Sequence, residues 1–118
     1  MLIKMLRSKI HLARVTECRL DYEGSVTIDE DLMDAAGLVA GEAVLVADLE
    51  NGTRHITYVI PGARGSGTVC SNGAAARLVN VGDRVIIMAF AYMDPEEIAS
   101  HSPSIIVLDE NNSIVRGP

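Results

Sequence analysis

The step Asn51-Gly52 most constrains what this chain can fold into. An Asn-Gly pair between two apolar runs is the strongest short-range hairpin signal, because both central residues of the tight turn need positive φ. The flanking runs are Ala43–Asp48 and residues 54–60, so two antiparallel strands are expected. Strand parity then sorts the return strand. Arg54, Ile56, Tyr58 and Ile60 face one way, and His55, Thr57 and Val59 face the other. An arginine and a tyrosine on one face read either as ordinary exposed strand residues or as a charge anchor and a proton source on one wall of a pocket.

The rest of the chain repeats this short-strand pattern. Residues 2–20 read mostly as strand, with Lys9 and His11 on one face. His11 is either a half-buried histidine bonded to backbone or part of a site. Thr27-Ile28-Asp29-Glu30 is expected to open a short helix, capped by Asp29 and ended by Gly37. Residues 68–70 form a strand in this reading. Asn72 then caps a short turn or helix ending near Leu78, leaving the amides of Gly73, Ala74 and Ala75 free to take a carboxylate. The alternative is a tightly packed helix start. Residues 84–93 make the longest apolar strand. A helix from Asp94-Pro95 ends by His101, and strands follow at 104–108 and 113–115. The tail Arg116-Gly117-Pro118 is read as unstructured. Many short strands with two or three short helices predict a small, mainly β barrel formed by one domain over residues 1–118.

Composition narrows the function. Phe90, Tyr22, Tyr58 and Tyr92 are the whole aromatic complement, so the core must be aliphatic. The net charge of −6 gives no broad basic footprint for nucleic acid and repels an anionic membrane. An anionic small substrate would need a local cationic pocket. Lys4, Arg7, Lys9 and Arg14 form the densest basic cluster, which reads mostly as a solvated strand face. Cys18 and Cys70 make neither a metal motif nor a disulfide framework. No metal is expected, no membrane span or signal peptide is visible, and a cytoplasmic protein with reduced thiols is the default. The loop from Gly62 to Gly67 lacks the lysine and helix of a phosphate loop.

One turn carries a sharper chemical reading. In Tyr22-Glu23-Gly24-Ser25, the Ser25 hydroxyl can attack the Gly24 carbonyl, moving the acyl group from nitrogen to oxygen. Glycine suits the position before the serine, since it has no side chain to crowd the attack and tolerates strained dihedrals. Elimination of the ester leaves dehydroalanine, which hydrolyses to a pyruvoyl group and ammonia. The plain alternative is a Gly-Ser turn.

Taken together, Met5-Leu6 through Lys9 and His11, Tyr22-Glu23-Gly24-Ser25, Asp34-Ala35-Ala36-Gly37, Asn51-Gly52, Arg54, Thr57-Tyr58, Arg64-Gly65-Ser66, Asn72-Gly73-Ala74-Ala75-Ala76 and Val81-Gly82-Asp83 resemble the pyruvoyl-dependent aspartate 1-decarboxylases. These pieces run in order to about residue 95. The resemblance implies a double-psi β-barrel and decarboxylation of L-aspartate to β-alanine for pantothenate synthesis. It implies a homotetramer of self-cleaved protomers, four β chains (residues 1–24) and four α chains (residues 25–118), with active sites between neighbouring subunits. In some relatives maturation depends on a partner protein. By the same resemblance Ser25 becomes the pyruvoyl group and takes the substrate amine as a Schiff base. Tyr58 is the proton donor, and Arg54 holds a substrate carboxylate. Thr57 lies near both the cleavage point and the substrate. Gly73, Ala74 and Ala75 form a backbone cradle, with Lys9 as a supporting cation and His11, Tyr22 and Asn72 in support.

Two rivals stand beside this reading. One is a non-catalytic small β-barrel that binds a ligand or partner, with Tyr22 to Ser25 as a turn. The other is a pyruvoyl decarboxylase of another acidic amino acid, such as glutamate.

Overall fold

The computed structural model describes residues 1–117. Its strands are β1 (Ile3–Arg14), β2 (Glu17–Arg19), β3 (Ser25–Asp29), β4 (Ala43–Asp48), β5 (Arg54–Gly62), β6 (Val69–Asn72), β7 (Arg84–Met93), β8 (Ser104–Leu108) and β9 (Ile114–Arg116). Two short helices, α1 (Glu30–Ala36) and α2 (Pro95–Ser100), and a 3-10 turn over Gly73–Arg77 complete the chain. The strands are joined in the order β2-β6-β3-β5-β4-β7-β1-β8-β9. The link from β1 to β2 crosses this order: the Thr16 amide donates to Val69 O (2.8 Å), and the Val69 amide donates to Thr16 Oγ1 (2.9 Å). That crossing curls the sheet around an aliphatic interior.

The interior is built by alternation, as the scarcity of aromatics requires. Ile10, Ile87 and Val46 stand side by side on β1, β7 and β4, and Val26 pairs Val59 across β3 and β5; all five are buried. His55 continues the first of these rows and Thr57 pairs buried Val44, so both half-buried side chains share the interior face. Burying a valine- or isoleucine-sized side chain contributes about 1.5–3 kcal/mol, so this run of apolar positions outweighs the weak local propensity of any one short strand.

The hairpin forms, but not through a two-residue turn with both central residues at positive φ. The Asp48 amide donates to Thr53 O (2.9 Å), and residues 49–52 make the loop. Only Gly52 of the pair has positive φ (+76°), while Asn51 Oδ1 accepts from the Thr53 amide (2.9 Å). Three other local expectations shift. Ser25 to Asp29 is strand rather than the opening of a helix, because Val26 and Ile28 are buried against β5 and β6; the helix starts only after Asp29, whose carboxylate caps the Asp31 amide (2.8 Å). Arg116 is not tail but the end of β9, paired with Val107, while Pro118 lies outside the described residues. Asn72 stands at the start of the 3-10 turn, yet its side chain caps nothing there.

Candidate active site

The site grows from the way β3 is held. Ser25 opens β3 and pairs Asn72 of β6 in antiparallel register, and two residues on Thr27 pairs Cys70. Directly paired residues share a face of a sheet. Ser25, Thr27, Asn72 and Cys70 therefore form a square on the face opposite the Val26–Val59 core row. The Asn72 amide nitrogen donates to Ser25 Oγ (3.0 Å) and to Thr27 Oγ1 (2.9 Å). Ser25 Oγ donates to the Glu23 carbonyl (3.1 Å), and Cys70 Sγ donates to Asn72 Oδ1 (3.2 Å). The failed cap is thus a redirected side chain: Asn72 serves a serine and a threonine on the neighbouring strand.

Ser25 is only 2% exposed although it borders a turn. Its cover is the segment from Tyr22 to Gly24, lying on the first residue of the 3-10 turn. Gly73 has φ +77°, and a Cβ built there would stand 2.7 Å from Gly24 Cα, 2.9 Å from Gly24 N and 3.1 Å from Tyr22 O. Glycine is the one residue that satisfies both the dihedral and the contact. The Arg19 guanidinium lies over the Tyr22 ring, 4.8 Å from its centroid, and adds a cation–π contact to the same segment. Gly24 does not have positive φ, and a Cβ there would meet nothing within 4 Å beyond its two chain neighbours, so the fold around it does not itself demand a glycine.

Strand β5 runs parallel to β3, with Val26 level with Val59. One step back along that register brings Ser25, the first residue of β3, level with Tyr58. Neighbouring strands lie about 4.8 Å apart, so Tyr58 stands beside Ser25 on the same face. Thr57 faces the interior, as parity requires. Arg54 is exposed four residues before Tyr58, about 13 Å away along the strand. Among the described residues it forms no ion pair.

Lys9 and His11 lie farther off. Lys9 pairs Met88, Met88 pairs Leu45, and Leu45 pairs Ile56, so one row runs across β1, β7, β4 and β5. Lys9 therefore shares the outer face with Arg54 and Tyr58 but stands about 14 Å from Ile56. His11 follows on the same face of β1, just before Leu12, where positive φ (66°) breaks the register with β7. Burial, and then the charges of Lys9 and Arg116, hold the His11 imidazole below its ordinary range. The row crosses a cavity of about 180 Å³ lined by Lys4, Ala43, Val44, Leu45, Ile56 and Phe90. The Lys4 ammonium sits 5.1 Å from the Phe90 centroid, and Ile56 is 76% exposed.

The sequence singles out Ser25, Asn72, Gly73 and Tyr58, and the fold brings these together. Ala74 and Ala75 follow Gly73 in the 3-10 turn, Ala74 exposed and Ala75 half-buried. The fold does not bring Arg54, Lys9 and His11 to Ser25 within one chain. Cys70 and Thr27 were missed. Their signal was parity with Asn72 and Ser25, which has meaning only once β3 and β6 are known to pair.

Known proteins bear on this arrangement. The family model described as aspartate decarboxylase matches residues 1–115. The chain belongs to the aspartate decarboxylase family. It is 59% identical to an aspartate 1-decarboxylase of Caldicellulosiruptor saccharolyticus, over 98% of this chain and 91% of that protein. It is 56% identical to an aspartate 1-decarboxylase of Bacteroides fragilis, over 98% of this chain and all of that protein. Among solved structures, a rationally designed double-psi β-barrel matches with TM-score 0.50 at 19% identity, covering 65% of this chain and 90% of that one. The barrel of this family member is accordingly a double-psi β-barrel, with the Ser25 square on its outer side.

Proposed function

We propose that this chain decarboxylates L-aspartate to β-alanine and carbon dioxide, for pantothenate synthesis, using a pyruvoyl group that it makes from Ser25. The observation that carries the reading is the buried Ser25 hydroxyl, held between the Glu23 carbonyl and the Asn72 amide and directly following Gly24. In the first step the Ser25 Oγ–Gly24 carbon bond forms, the Gly24–Ser25 peptide bond breaks, and the hydroxyl proton ends on the Ser25 nitrogen. Loss of the Ser25 α-proton then expels the Gly24 carboxylate. Addition of water and departure of ammonia complete the change, leaving residues 1–24 and 25–118 as separate chains. The surroundings fit a small polar ketone at residue 25, with an amide donor 3.0 Å from the side chain and a glycine at Gly73 where a Cβ would collide with backbone.

The ketone supplies an electron sink for the pair released with carbon dioxide. The other work falls to side chains. Tyr58, level with Ser25 on the same face, is suited to deliver a proton to the substrate carbon. Arg54 is suited to the retained side-chain carboxylate, because its planar fork binds both oxygens. Aspartate is far shorter than the roughly 13 Å between Arg54 and Tyr58 along β5. In our reading, therefore, Arg54 and Lys9 serve the Ser25 of a neighbouring copy, in a homotetramer that covers the apolar outer face around Ile56 and Phe90. Cys18 and Cys70 are both free thiols, which suits a reducing, cytoplasmic setting.

The test is to incubate the purified chain with L-aspartate and measure β-alanine and released carbon dioxide. The natural chain should form both, and Ser25→Ala neither. Equal product from both chains would refute the reading.

A further inference from the structure

We infer that Cys70 is a positioning residue for self-cleavage, fixing which end of the Asn72 amide faces Ser25. The inference rests on the proposed conversion of Ser25. An asparagine side chain offers a donor at one end and an acceptor at the other. Either end could meet the hydroxyls of Ser25 and Thr27. With the nitrogen toward them, Ser25 Oγ receives a hydrogen bond and keeps its own proton on the Glu23 carbonyl. With the oxygen toward them, Asn72 would compete for that proton, and the hydroxyl would lose its donor.

Cys70 decides between the two. Its Sγ is 3.2 Å from Asn72 Oδ1, and the two residues share one face of β6. The Ser71 carbonyl is a more distant acceptor at 3.9 Å, and the carboxylate of Glu17, which pairs Cys70 across β2 and β6, is the rival side-chain acceptor. Burial, then nearby Glu17 and Cys18, pushes the thiol up to about 11, so it keeps its proton and remains a donor at neutral pH. A donor on this side selects Oδ1 here and leaves the NH₂ for Ser25 and Thr27. As the Ser25 proton departs, the Asn72 N–H faces an oxygen that is gaining negative charge, and such bonds strengthen with that charge.

The test follows self-cleavage by intact mass against time for the natural chain, Cys70→Ala, Cys70→Val and Cys70→Ser, with melting curves for each. Valine fills the space of the thiol without a donor, and serine restores a donor. Cys70→Ala and Cys70→Val should each cleave about three- to tenfold slower, the scale of one hydrogen bond. Cys70→Ser should cleave at least as fast as the natural chain. In an Asn72→Ala background, Cys70→Ala should cause no further slowing. The inference is overturned if Cys70→Val cleaves at the natural rate, if Cys70→Ser is as slow as Cys70→Ala, or if the slowing persists without Asn72. A natural chain that stays uncut overturns the proposed function and this inference with it; a cleaving natural chain with unaffected variants overturns only the inference.

Discussion

Replacing Gly73 by alanine tests the packing of the cleavage segment on the 3-10 turn. Two penalties add. A non-glycine residue in left-handed backbone costs roughly 1–2 kcal/mol. The new Cβ would also stand 2.7 Å from Gly24 Cα and 2.9 Å from Gly24 N. Those are backbone atoms, which cannot swing aside like a side chain, and overpacking of this kind costs about 1–3 kcal/mol. The expected loss is about 2–5 kcal/mol in all. Gly82 supplies the control: its φ is +94°, but a Cβ there meets nothing within 4 Å, so Gly82→Ala carries the dihedral penalty alone. Both changes belong in a Ser25→Ala chain, which stays in one piece, with stability read by urea unfolding. In the cleavable chain Gly73→Ala should also slow cleavage, and Gly82→Ala should not. Gly73→Ala within about 0.5 kcal/mol of Gly82→Ala, with normal cleavage, would refute the packing argument.

Three further outcomes are expected. Arg54→Ala should weaken aspartate binding by roughly 2–5 kcal/mol while cleavage proceeds, and Arg54→Lys should restore it only in part; lost cleavage with unchanged affinity would show a different role. Tyr58→Phe should mature normally and turn over about 10²–10⁴-fold more slowly, measured as β-alanine per processed chain, and an unchanged rate would remove Tyr58 as the donor. Asp48 is buried, its Oδ1 accepts from the Glu50 and Asn51 amides, and its Oδ2 takes no donor among the described residues but faces the Asp83 carboxyl. Burial and the facing Asp83 carboxyl raise its pKa, against the smaller opposing pull of those two amides. The folded chain therefore holds this proton more tightly than the unfolded one. The resulting stability is present at low pH and is lost as pH rises from the ordinary aspartate range of about 4 through the folded value. Asp48→Asn keeps an acceptor for the two amides and can donate to Asp83. It should stabilise the chain at neutral pH by about 1–3 kcal/mol and flatten that slope, while a destabilised variant would contradict the sign.

Local chemistry made much of the barrel legible. The hairpin around Asn51-Gly52, the Ala43–Asp48 strand and the α2 start at Asp94-Pro95 each depend on neighbours in sequence, and each is present, although the hairpin closes through a longer loop with only Gly52 of the pair at positive φ. Thr27 to Asp29 belongs to a strand and not to a helix start, and sequence does not show this because the apolar pair Val26 and Ile28 is too short to show a period. Only contact with β5 and β6 makes it a strand. Asn72 shows the same limit. Its position looked like a cap, and its side chain is used instead on a residue 47 positions away. Strand parity alone sorts Thr57 and Tyr58 to opposite faces, and the fold keeps that, with Thr57 inward and Tyr58 outward beside Ser25.

The central claim is that this chain cuts itself after Gly24 and turns Ser25 into a ketone, and intact mass spectrometry of the purified protein tests it most directly. The account predicts two species, residues 1–24 and residues 25–118, the second lighter by one ammonia than hydrolysis alone would give. A chain that stays whole on prolonged incubation, or a second species that begins with ordinary serine, would contradict it.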